Sequence, residues 1–376
     1  MNWKIPLFKI YWDESDVANV TSAIERGMNW AIGPEVQAFE SRIAEYCRTR
    51  HCVVFNSGTS ALHAQLLSHG ISQSDEVIVP SFTFIATANA PLFVGAKPIF
   101  ADIEAVTCGL DPEDVEKKIT EKTKAIIPVH FGGCPCNIQR IKDIAEEHEL
   151  VLIEDAAEAF GAHIAGKYVG TYGDSAMFSF CQNKLITTGD GGAVVTDSQD
   201  LCEKLKLFRS HGRAENTDYF SSAHYMDYIQ VGYNFRMSNI TASLGLSQIE
   251  KVDEIIKKRR ENAAYLNDRL QEIEGIEPFH PPDGYFHVYQ MYTVRAHDRD
   301  ALLQHLIKNG IMAKVYFHPV HRSHFYETKL KYRCNLPVTE RISHQVLTLP
   351  MYPHLTEKEM DFLIQAIHEF YGGSSS

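Results

Sequence analysis

Short apolar runs alternate with helical patterns between residues 77 and 153, and this alternation constrains the fold more than any other feature of the sequence. The apolar runs cover 77–79, 98–101, 125–129 and 151–153, and the helical patterns between them cover 85–94, 111–119 and 138–148. Because consecutive parallel strands need a crossover connection, this order is typical of a largely parallel sheet flanked by helices. Two more apolar runs, 176–180 and 192–196, predict further strands. The predicted fold class is α/β, with a large, mostly parallel sheet.

The length of 376 residues exceeds what a single hydrophobic core usually serves. A long helical pattern covers 239–270, and we place a domain transition within it, near Glu250. Predicted strands at 289–294 and 312–316 and predicted helices at 299–308 and 357–370 follow, an order typical of a small α+β domain. We therefore predict a large α/β domain at 1–250, a small C-terminal α+β domain at 251–371 and a flexible Gly/Ser tail at 372–376.

Composition excludes several classes of partner. A formal net charge of -12 argues against nucleic acid, which requires a basic surface. No segment reaches the roughly 20 apolar residues of a membrane span, and the amino terminus has no signal-peptide pattern, so we expect a cytoplasmic protein without a membrane partner. The eight cysteines show neither disulfide nor zinc spacing, and the close pair Cys134 and Cys136 lacks a second pair, so we predict no metal.

Lys184 is the strongest candidate for a catalytic residue. It lies between an apolar run that includes Phe178 and Phe180 and the glycine-rich stretch 189–192, and Leu185 and Ile186 follow it. Apolar surroundings disfavour the ammonium form and free the amine as a nucleophile, as a Schiff-base lysine requires. The alternative is a surface lysine whose apolar neighbours face away from it.

Two earlier elements favour the catalytic interpretation and indicate a cofactor. Asp155 follows the apolar run 150–153, at the carboxyl end of a predicted strand, where open α/β sheets bind ligands. Gly58, Thr59 and Ser60 form a glycine turn that opens a helix, and such a turn suits a phosphate group. Pyridoxal phosphate requires a lysine, an acidic partner for its ring nitrogen and a phosphate site. The three elements together predict this cofactor.

The same segments resemble a known family. The blocks "NSGTSALHA", "KAIIPVHFGG", "IEDAAEAFGA", "GDSAMFSF" and "VGYNFRMS", with Lys184 and its glycine turn, are similar to the DegT/DnrJ/EryC1/StrS sugar aminotransferases, which are fold type I pyridoxal phosphate enzymes. The resemblance covers nearly the whole chain. One branch of that family replaces the lysine with histidine and catalyses dehydration, so Lys184 favours transamination.

The resemblance also implies roles for individual residues. Glu158 would lie near the ring hydroxyl of the cofactor, at a position where many relatives carry glutamine or histidine. Phe84 would stack on the cofactor ring, the alternative being a phenylalanine of the core. Asn234 would reach the phosphate bound by a partner subunit, which implies a homodimer with shared active sites. The full set of cofactor-binding residues implied is Gly58, Thr59, Ser60, Phe84, Asp155, Glu158, Ser179, Lys184 and Asn234.

The resemblance implies transfer of an amino group from L-glutamate to a ketosugar or oxo-sugar acid of a surface polysaccharide or lipopolysaccharide. The branch that it favours forms 8-amino-3,8-dideoxy-manno-octulosonate, and the alternative is a perosamine-type nucleotide-sugar 4-aminotransferase. A third hypothesis is a catalytically idle, cofactor-binding regulatory subunit. A carboxylate on the acceptor would need a cation, and the candidates are Arg209, His211, Arg213, Arg236, Lys314, His318, His321 and Arg322.

Overall fold

The computed structural model describes residues 3–214, 223 and 225–372. Within them the strands are β1 His51–Phe55, β2 Glu76–Pro80, β3 Lys97–Ala101, β4 Thr123–Ile126, β5 Val151–Asp155, β6 His163–Ile164, β7 Lys167–Tyr168, β8 Ser175–Ser179, β9 Gly192–Thr196, β10 Ile276–Pro278, β11 Tyr285–Phe286, β12 Tyr292–Ala296 and β13 Val346–Leu349. The α-helices of the same residues are α1 Glu14–Glu25, α2 Pro34–Cys47, α3 Gly58–Ser68, α4 Ile85–Phe93, α5 Pro112–Lys118, α6 Ile138–Glu147, α7 Gln199–Arg209, α8 Asn239–Ile249, α9 Val252–Leu270, α10 Arg299–Lys308, α11 Pro337–Gln345 and α12 Glu357–Gly372.

Seven of the described strands form a large sheet in the order β1-β9-β8-β5-β4-β2-β3. The pairs β2–β3, β2–β4, β4–β5 and β5–β8 are parallel, whereas β9 runs antiparallel to both β8 and β1. The predicted α/β class with a mostly parallel sheet is therefore confirmed. The antiparallel strand arises because β8 and β9 follow each other without a crossover helix.

Helices cover both faces of this sheet, and the apolar strands reflect that. Along β1, Val54 packs into one apolar cluster, while Val53 and Phe55 pack into the cluster on the opposite face. Successive strand residues point to opposite faces, so a strand buried on both faces must be apolar at nearly every position. The near-continuous apolar runs in the sequence have this cause.

The register of three strands positions the site. Gly192 at the start of β9 lies opposite Phe55, the last residue of β1, and opposite Ser179, the last residue of β8. On the other side of β8, Met177 lies opposite Asp155, the last residue of β5. The carboxyl ends of β1, β8 and β5 therefore meet at the same edge of the sheet.

A second, antiparallel sheet has the order β10-β12-β13 and packs against α9, α10 and α12. Residues near the amino terminus lie against the same layer, because Ile5 bridges to Ile311 and the Met351 N–H donates to Leu7 O at 3.1 Å. The boundary at 250/251 stays a prediction. The predicted tail at 372–376 lies outside the described residues, except for Gly372.

Two predicted elements differ from the structure. The pattern at 239–270 is two helices, because α8 ends at Ile249 and α9 begins at Val252. Lys251, at the break, is buried, and its Nζ lies 2.7 Å from Asp13 Oδ1 and 2.5 Å from Asp16 Oδ2. The predicted strand at 312–316 is a single bridge between Lys314 and Thr348. Both differences depend on contacts between distant segments, which local periodicity does not reveal.

Candidate active site

The turn between β1 and α3 has the geometry of a phosphate site. Ser57 caps the helix, because its Oγ accepts a hydrogen bond from the Ser60 N–H at 3.1 Å. The Ser60 hydroxyl donates to Asn56 Oδ1 at 2.6 Å and so helps to shape the turn, and its role at the phosphate stays a prediction. The first N–H groups of a helix have no partner within the helix and carry partial positive charge. The backbone at Gly58 and Thr59 is therefore suited to an anion, and the Thr59 side chain is exposed beside it.

Ser179 and Gly192 form the wall of this turn. A Cβ atom at Gly58 would lie 3.2 Å from Ser179 Cβ and 3.4 Å from Ser179 Oγ. A Cβ atom at Gly192 would lie 2.6 Å from Gly58 N, closer than such atoms approach in proteins. Because both positions are glycine, the ends of β1 and β8 and the start of β9 approach closely. The structure thus brings together the predicted residues Gly58 and Ser179, and it adds Gly192.

Asp155 lies at the end of β5 with its carboxylate buried. Oδ2 accepts a hydrogen bond from the Thr87 hydroxyl at 2.7 Å, and Oδ1 accepts one from the Ala157 N–H at 3.1 Å. Burial raises the pKa of Asp155; the negative charge of Glu158 acts in the same direction, and the two hydrogen bonds and Lys184 oppose it. A cation facing this carboxylate would offset the cost of burying its charge.

Lys184 faces Glu158. Lys184 Nζ lies 3.4 Å from Glu158 Oε1, and the two side chains are 14% and 10% exposed. The other carboxylate oxygen of Glu158 accepts a hydrogen bond from the Gly132 N–H at 2.9 Å. The interpretation of Lys184 as a surface lysine is therefore wrong. The desolvation argument from the sequence omitted the carboxylate that shares the pocket with the amine.

Phe84 is exposed rather than part of the core. It precedes α4, its side chain is 59% exposed, and its ring centroid lies 6.4 Å from that of Phe317. The alternative of a core phenylalanine is therefore wrong. Phe84 lies one helical turn before Thr87, the residue that binds Asp155, and stacking of its ring on the cofactor stays a prediction.

Asn234 lies beside the phosphate turn of its own chain. Its backbone bridges to Ser210, its carbonyl accepts a hydrogen bond from Asn56 Nδ2 at 3.4 Å, and the residue is exposed. This exposed position leaves the side chain available to a partner subunit. The role at a partner's phosphate stays a prediction.

Three residues of the site were missed by the sequence argument. Thr87 and Gly132 hold the two carboxylates of the site, and Gln290 donates from Nε2 to Asn183 O at 2.6 Å, directly before Lys184. The spacing of Thr87 after Phe84 would have placed it in the first turn of α4. No local signal connects Gln290 with residue 183, because 107 residues separate them.

The basic candidates for substrate binding do not gather at one place. Arg209 Nη1 lies 2.5 Å from Glu40 Oε1 and donates to Val54 O at 3.0 Å, and His321 is buried with Nδ1 2.7 Å from Ser81 Oγ. These two side chains stabilise the fold. His318 and Arg322 instead line a groove of about 830 Å³, to whose lining Phe84 also belongs. The remaining candidates, His211, Arg213, Arg236 and Lys314, do not line that groove among the described residues.

Comparison with known proteins agrees with this geometry. Residues 11–368 match the DegT/DnrJ/EryC1/StrS aminotransferase family. The chain is 38% identical over 342 residues to GDP-perosamine synthase of Escherichia coli O157:H7, with 90% of this chain and 91% of that protein covered.

Solved structures share the whole fold. PseC of Helicobacter pylori, an aminotransferase involved in the biosynthesis of pseudoaminic acid, matches with a TM-score of 0.91 at 29% identity, over 98% of this chain and 99% of PseC. The PLP form of Spr1654 from Streptococcus pneumoniae matches with a TM-score of 0.91 at 25% identity over 100% of both chains. None of the helices in the described part of our chain has the length and apolarity needed to cross a membrane.

Proposed function

The chain belongs to the DegT/DnrJ/EryC1/StrS aminotransferase family, and on that premise we propose that it transfers an amino group from L-glutamate to an oxo-sugar acid of a surface polysaccharide or lipopolysaccharide. It is a pyridoxal phosphate-dependent sugar aminotransferase. The observation that carries the proposal is the convergence of Lys184, Asp155 and the phosphate turn at the same edge of the sheet.

The residues present fit the cofactor. Gly58 and Thr59 would hold its phosphate through backbone N–H groups, Ser179 through its hydroxyl, and Asp155 would face the ring nitrogen. When bound, pyridoxal phosphate supplies an electron-accepting ring and stores the amino group between the two half-reactions. The buried carboxylate of Asp155 would keep a proton on a ring nitrogen that faces it, because two charges of opposite sign stabilise each other in a low-dielectric site.

Lys184 is the base that we propose for the proton on the donor's α-carbon. Its side chain is largely buried, and the carboxylate that it faces, Glu158, is fixed by the Gly132 N–H. A positioned proton-transfer group of this kind contributes about 10²- to 10⁴-fold to a rate. With lysine, aspartate and phosphate turn all present, the hypothesis of an idle regulatory subunit has less support than catalysis.

For the acceptor we propose an 8-oxo-3-deoxy-octulosonate, whose carboxylate would lie in the groove that Phe84 helps to line. Arg322 and His318 line this groove, and Arg322 is half-exposed although Nη2 donates to Glu340 Oε1 at 2.8 Å. An arginine suits a carboxylate because its planar donors match the two oxygens.

A nucleotide-linked 4-ketohexose is the second candidate. The 38% identity to a GDP-perosamine synthase supports it. The diphosphate of such a substrate would also bind to positively charged side chains. Both acceptors fit the family. A cytoplasmic location and a homodimer with shared sites complete the proposal.

A direct competition separates the two acceptors. Separate samples of protein carrying the amino form of the cofactor would receive either the free 8-oxo sugar acid or a GDP-linked 4-ketohexose, and absorbance would follow the return of the aldehyde form. We expect the sugar acid to react faster. Faster reaction of the nucleotide sugar would assign the perosamine-type activity.

The groove is tested by Arg322→Gln. Loss of a charge-assisted hydrogen bond should raise KM for the sugar acid about tenfold, and the half-reaction with L-glutamate should be unchanged. Arg333→Gln is the matched control, because this exposed arginine of the same region bonds to backbone carbonyls of Glu327 and Tyr332 and does not line the groove. Equal KM values for the two variants would remove Arg322 from the acceptor site.

A further inference from the structure

The segment 287–291, named here the bracing segment, contacts both members of the Lys184–Glu158 pair through intermediaries. On one side, Gln290 Nε2 donates to Asn183 O at 2.6 Å. On the other side, the N–H groups of Val288 and Met291 donate to Gly133 O at 3.1 Å and to Gly132 O at 3.0 Å. Gly132 in turn donates its N–H to Glu158. One short segment thus fixes the backbone that carries the lysine and the turn that holds its carboxylate.

The contact between this segment and the glycine turn is close. Gly133 has a φ of +96°, and a Cβ atom there would lie 2.7 Å from Val288 Cγ2 and 3.0 Å from Gln290 N. A side chain at this position would force the turn and the bracing segment apart. The absence of a side chain at Gly133 therefore allows the position of the segment to determine the position of the Gly132 N–H.

The bracing segment is itself anchored by a buried arginine. Arg259 Nη1 donates to Tyr289 O at 2.9 Å, to Gln290 O at 3.3 Å and to Met351 O at 3.2 Å. Burial lowers the pKa of Arg259 to about 10, so the guanidinium stays charged at neutral pH. Hydrogen bonds from a charged donor are shorter and stronger than those from neutral groups. The backbone on both sides of residue 289 is therefore held in a fixed position.

The burial and hydrogen bonding of the Gln290 side chain indicate that it orients a neighbouring backbone group. It is 6% exposed, and its Oε1 finds no hydrogen-bond partner among the described residues, while Nε2 donates to the Asn183 carbonyl. The amide orientation is unambiguous, because a carbonyl oxygen accepts hydrogen bonds and cannot donate them. A buried polar atom without a partner is unfavourable, so an apolar residue would suit this position better if packing were its only role.

We infer that Gln290 is a positioning residue, which holds the Asn183 carbonyl and so directs the Lys184 amine toward the reacting carbon. The inference rests on the proposed function of Lys184 and goes beyond it. Small displacements of a reacting group can cost about 10²-fold in rate, because bond formation needs close alignment. Loss of the Gln290 hydrogen bond should therefore slow the reaction of the Lys184 amine. The accompanying loss of folding stability should be no larger than for another buried hydrogen bond.

The test measures covalent capture of the cofactor by the cofactor-free protein. The Lys184 amine condenses with the aldehyde of pyridoxal phosphate and water is released; borohydride then reduces the C=N bond to a stable amine. Timed quenching and peptide mapping give the rate of labelling at Lys184. We expect Gln290→Leu to slow capture about tenfold. The dissociation constant of the Gln290→Leu variant for pyridoxine 5′-phosphate, which has no aldehyde, should equal that of wild type.

Gln65→Leu is the matched control. Gln65 is also a buried glutamine, it donates a single hydrogen bond, to Ser175 Oγ at 2.9 Å, and its Oε1 lacks a partner among the described residues. It lies on α3 and contacts neither Asn183 nor the bracing segment. We expect a similar loss of thermal stability in both variants and normal capture in Gln65→Leu. Equal slowing in both variants would make Gln290 a structural residue and overturn the inference.

Gln290→Glu adds a pH-dependent readout. The ionised carboxyl repels the Asn183 carbonyl, whereas the protonated carboxyl can donate to it as the amide does. Capture relative to wild type should therefore be slow at pH 8 and recover as the pH falls toward the pKa of the introduced group, while the ratio for Gln290→Leu stays flat. A flat ratio for Gln290→Glu would contradict the inference. If wild type itself leaves Lys184 unlabelled, the proposed function fails instead.

Discussion

Asp155 carries a buried carboxylate at the site, and a cation that faces it would stabilise its charge. Its carboxylate is buried, and the hydroxyl of Thr87 and the N–H of Ala157 donate hydrogen bonds to it. Burial nevertheless raises its pKa, with Glu158 adding to the effect. A protonated ring nitrogen would supply the missing positive charge, and this requirement links the residue to the electron-accepting role of the cofactor.

Replacement of this charge should separate binding from chemistry. Asp155→Asn should retain the cofactor, because the phosphate turn and Lys184 are untouched. The half-reaction with L-glutamate should slow at least about 10²-fold, because an amide does not keep the ring nitrogen protonated. Stopped-flow absorbance would measure this step, and an unimpaired rate would make Asp155 a structural residue.

The same variant gives a pH signature in the cofactor-free protein. Since the pKa of Asp155 is raised above that of the unfolded chain, about 3.9, wild type loses stability as the pH rises from about 4 through the folded-state pKa. The neutral amide of Asp155→Asn causes no such loss, so the free energy of unfolding of this variant should rise relative to that of wild type between pH 4 and pH 8. A difference that does not change with pH would contradict the raised pKa.

Among the individual residues of the site, the sequence predicts those that adjoin apolar runs. Asp155 ends a buried strand, Lys184 follows another, and Gly58 opens a helix, so local pattern and chemistry suffice to find them. Glu158 was found by resemblance alone, and its contact with Lys184 depends on two loops that meet only in the fold. Gln290 was missed for the same reason.

Among the elements, the β8–β9 connection and the β1–α3 turn form one unit. Gly192 approaches Gly58 so closely that any side chain there would displace the turn. Gly189, in the same connection, has a φ of +81° and no atom within 4 Å of the position of its Cβ. Gly192 is therefore required because a side chain would not fit, and Gly189 is required because its backbone conformation is unfavourable for other residues.

Alanine substitution should distinguish these reasons. Gly192→Ala should weaken cofactor binding at least about tenfold, because the new methyl group would move the N–H of Gly58 away from the phosphate. Gly189→Ala should cost about 1 kcal/mol of folding stability and leave cofactor affinity near that of wild type. Fluorescence titration of cofactor-free protein measures the affinities. Equal affinities in the two variants would show that Gly192 does not shape the turn.

Elements with a strong local pattern were predicted well, and elements fixed by distant contacts were not. The strands β2, β5 and β9 and the helices of the large sheet follow from their apolar periodicity. The break between α8 and α9 does not, because Lys251 binds Asp13 and Asp16 at the amino end of α1, more than two hundred residues earlier. The antiparallel direction of β9 is a property of the whole sheet and is not visible in the strand itself.

At the level of the whole molecule, the described residues leave large apolar side chains exposed at Trp12, Met28, Trp30, Phe93 and Val231. Such side chains mark a protein interface where they form one contiguous patch, whereas single ones are ordinary on a protein surface. A second copy of the chain is the partner that we propose, with Asn234 of each copy at the phosphate site of the other.

Mixed dimers test this shared site. Lys184→Ala and Asn234→Asp should each be nearly inactive alone, the second because a carboxylate repels a phosphate. In a mixed dimer both lesions fall in one site, and the other site is intact. Under random exchange about half the dimers are mixed, so refolding the two together should restore about a quarter of wild-type activity. No recovery, with mixed dimers verified by mass spectrometry, would place Asn234 at the site of its own chain.

The proposed chemistry requires that Lys184 is the lysine that binds the cofactor. Protein purified with pyridoxal phosphate would be reduced with borohydride, digested and mapped by mass spectrometry, with Lys184→Arg as the control. We predict a cofactor-derived label on Lys184 in wild type and its loss in the variant. A label on any other lysine, or a wild-type label that persists in Lys184→Arg, would contradict the assignment of Lys184 as the cofactor-binding lysine.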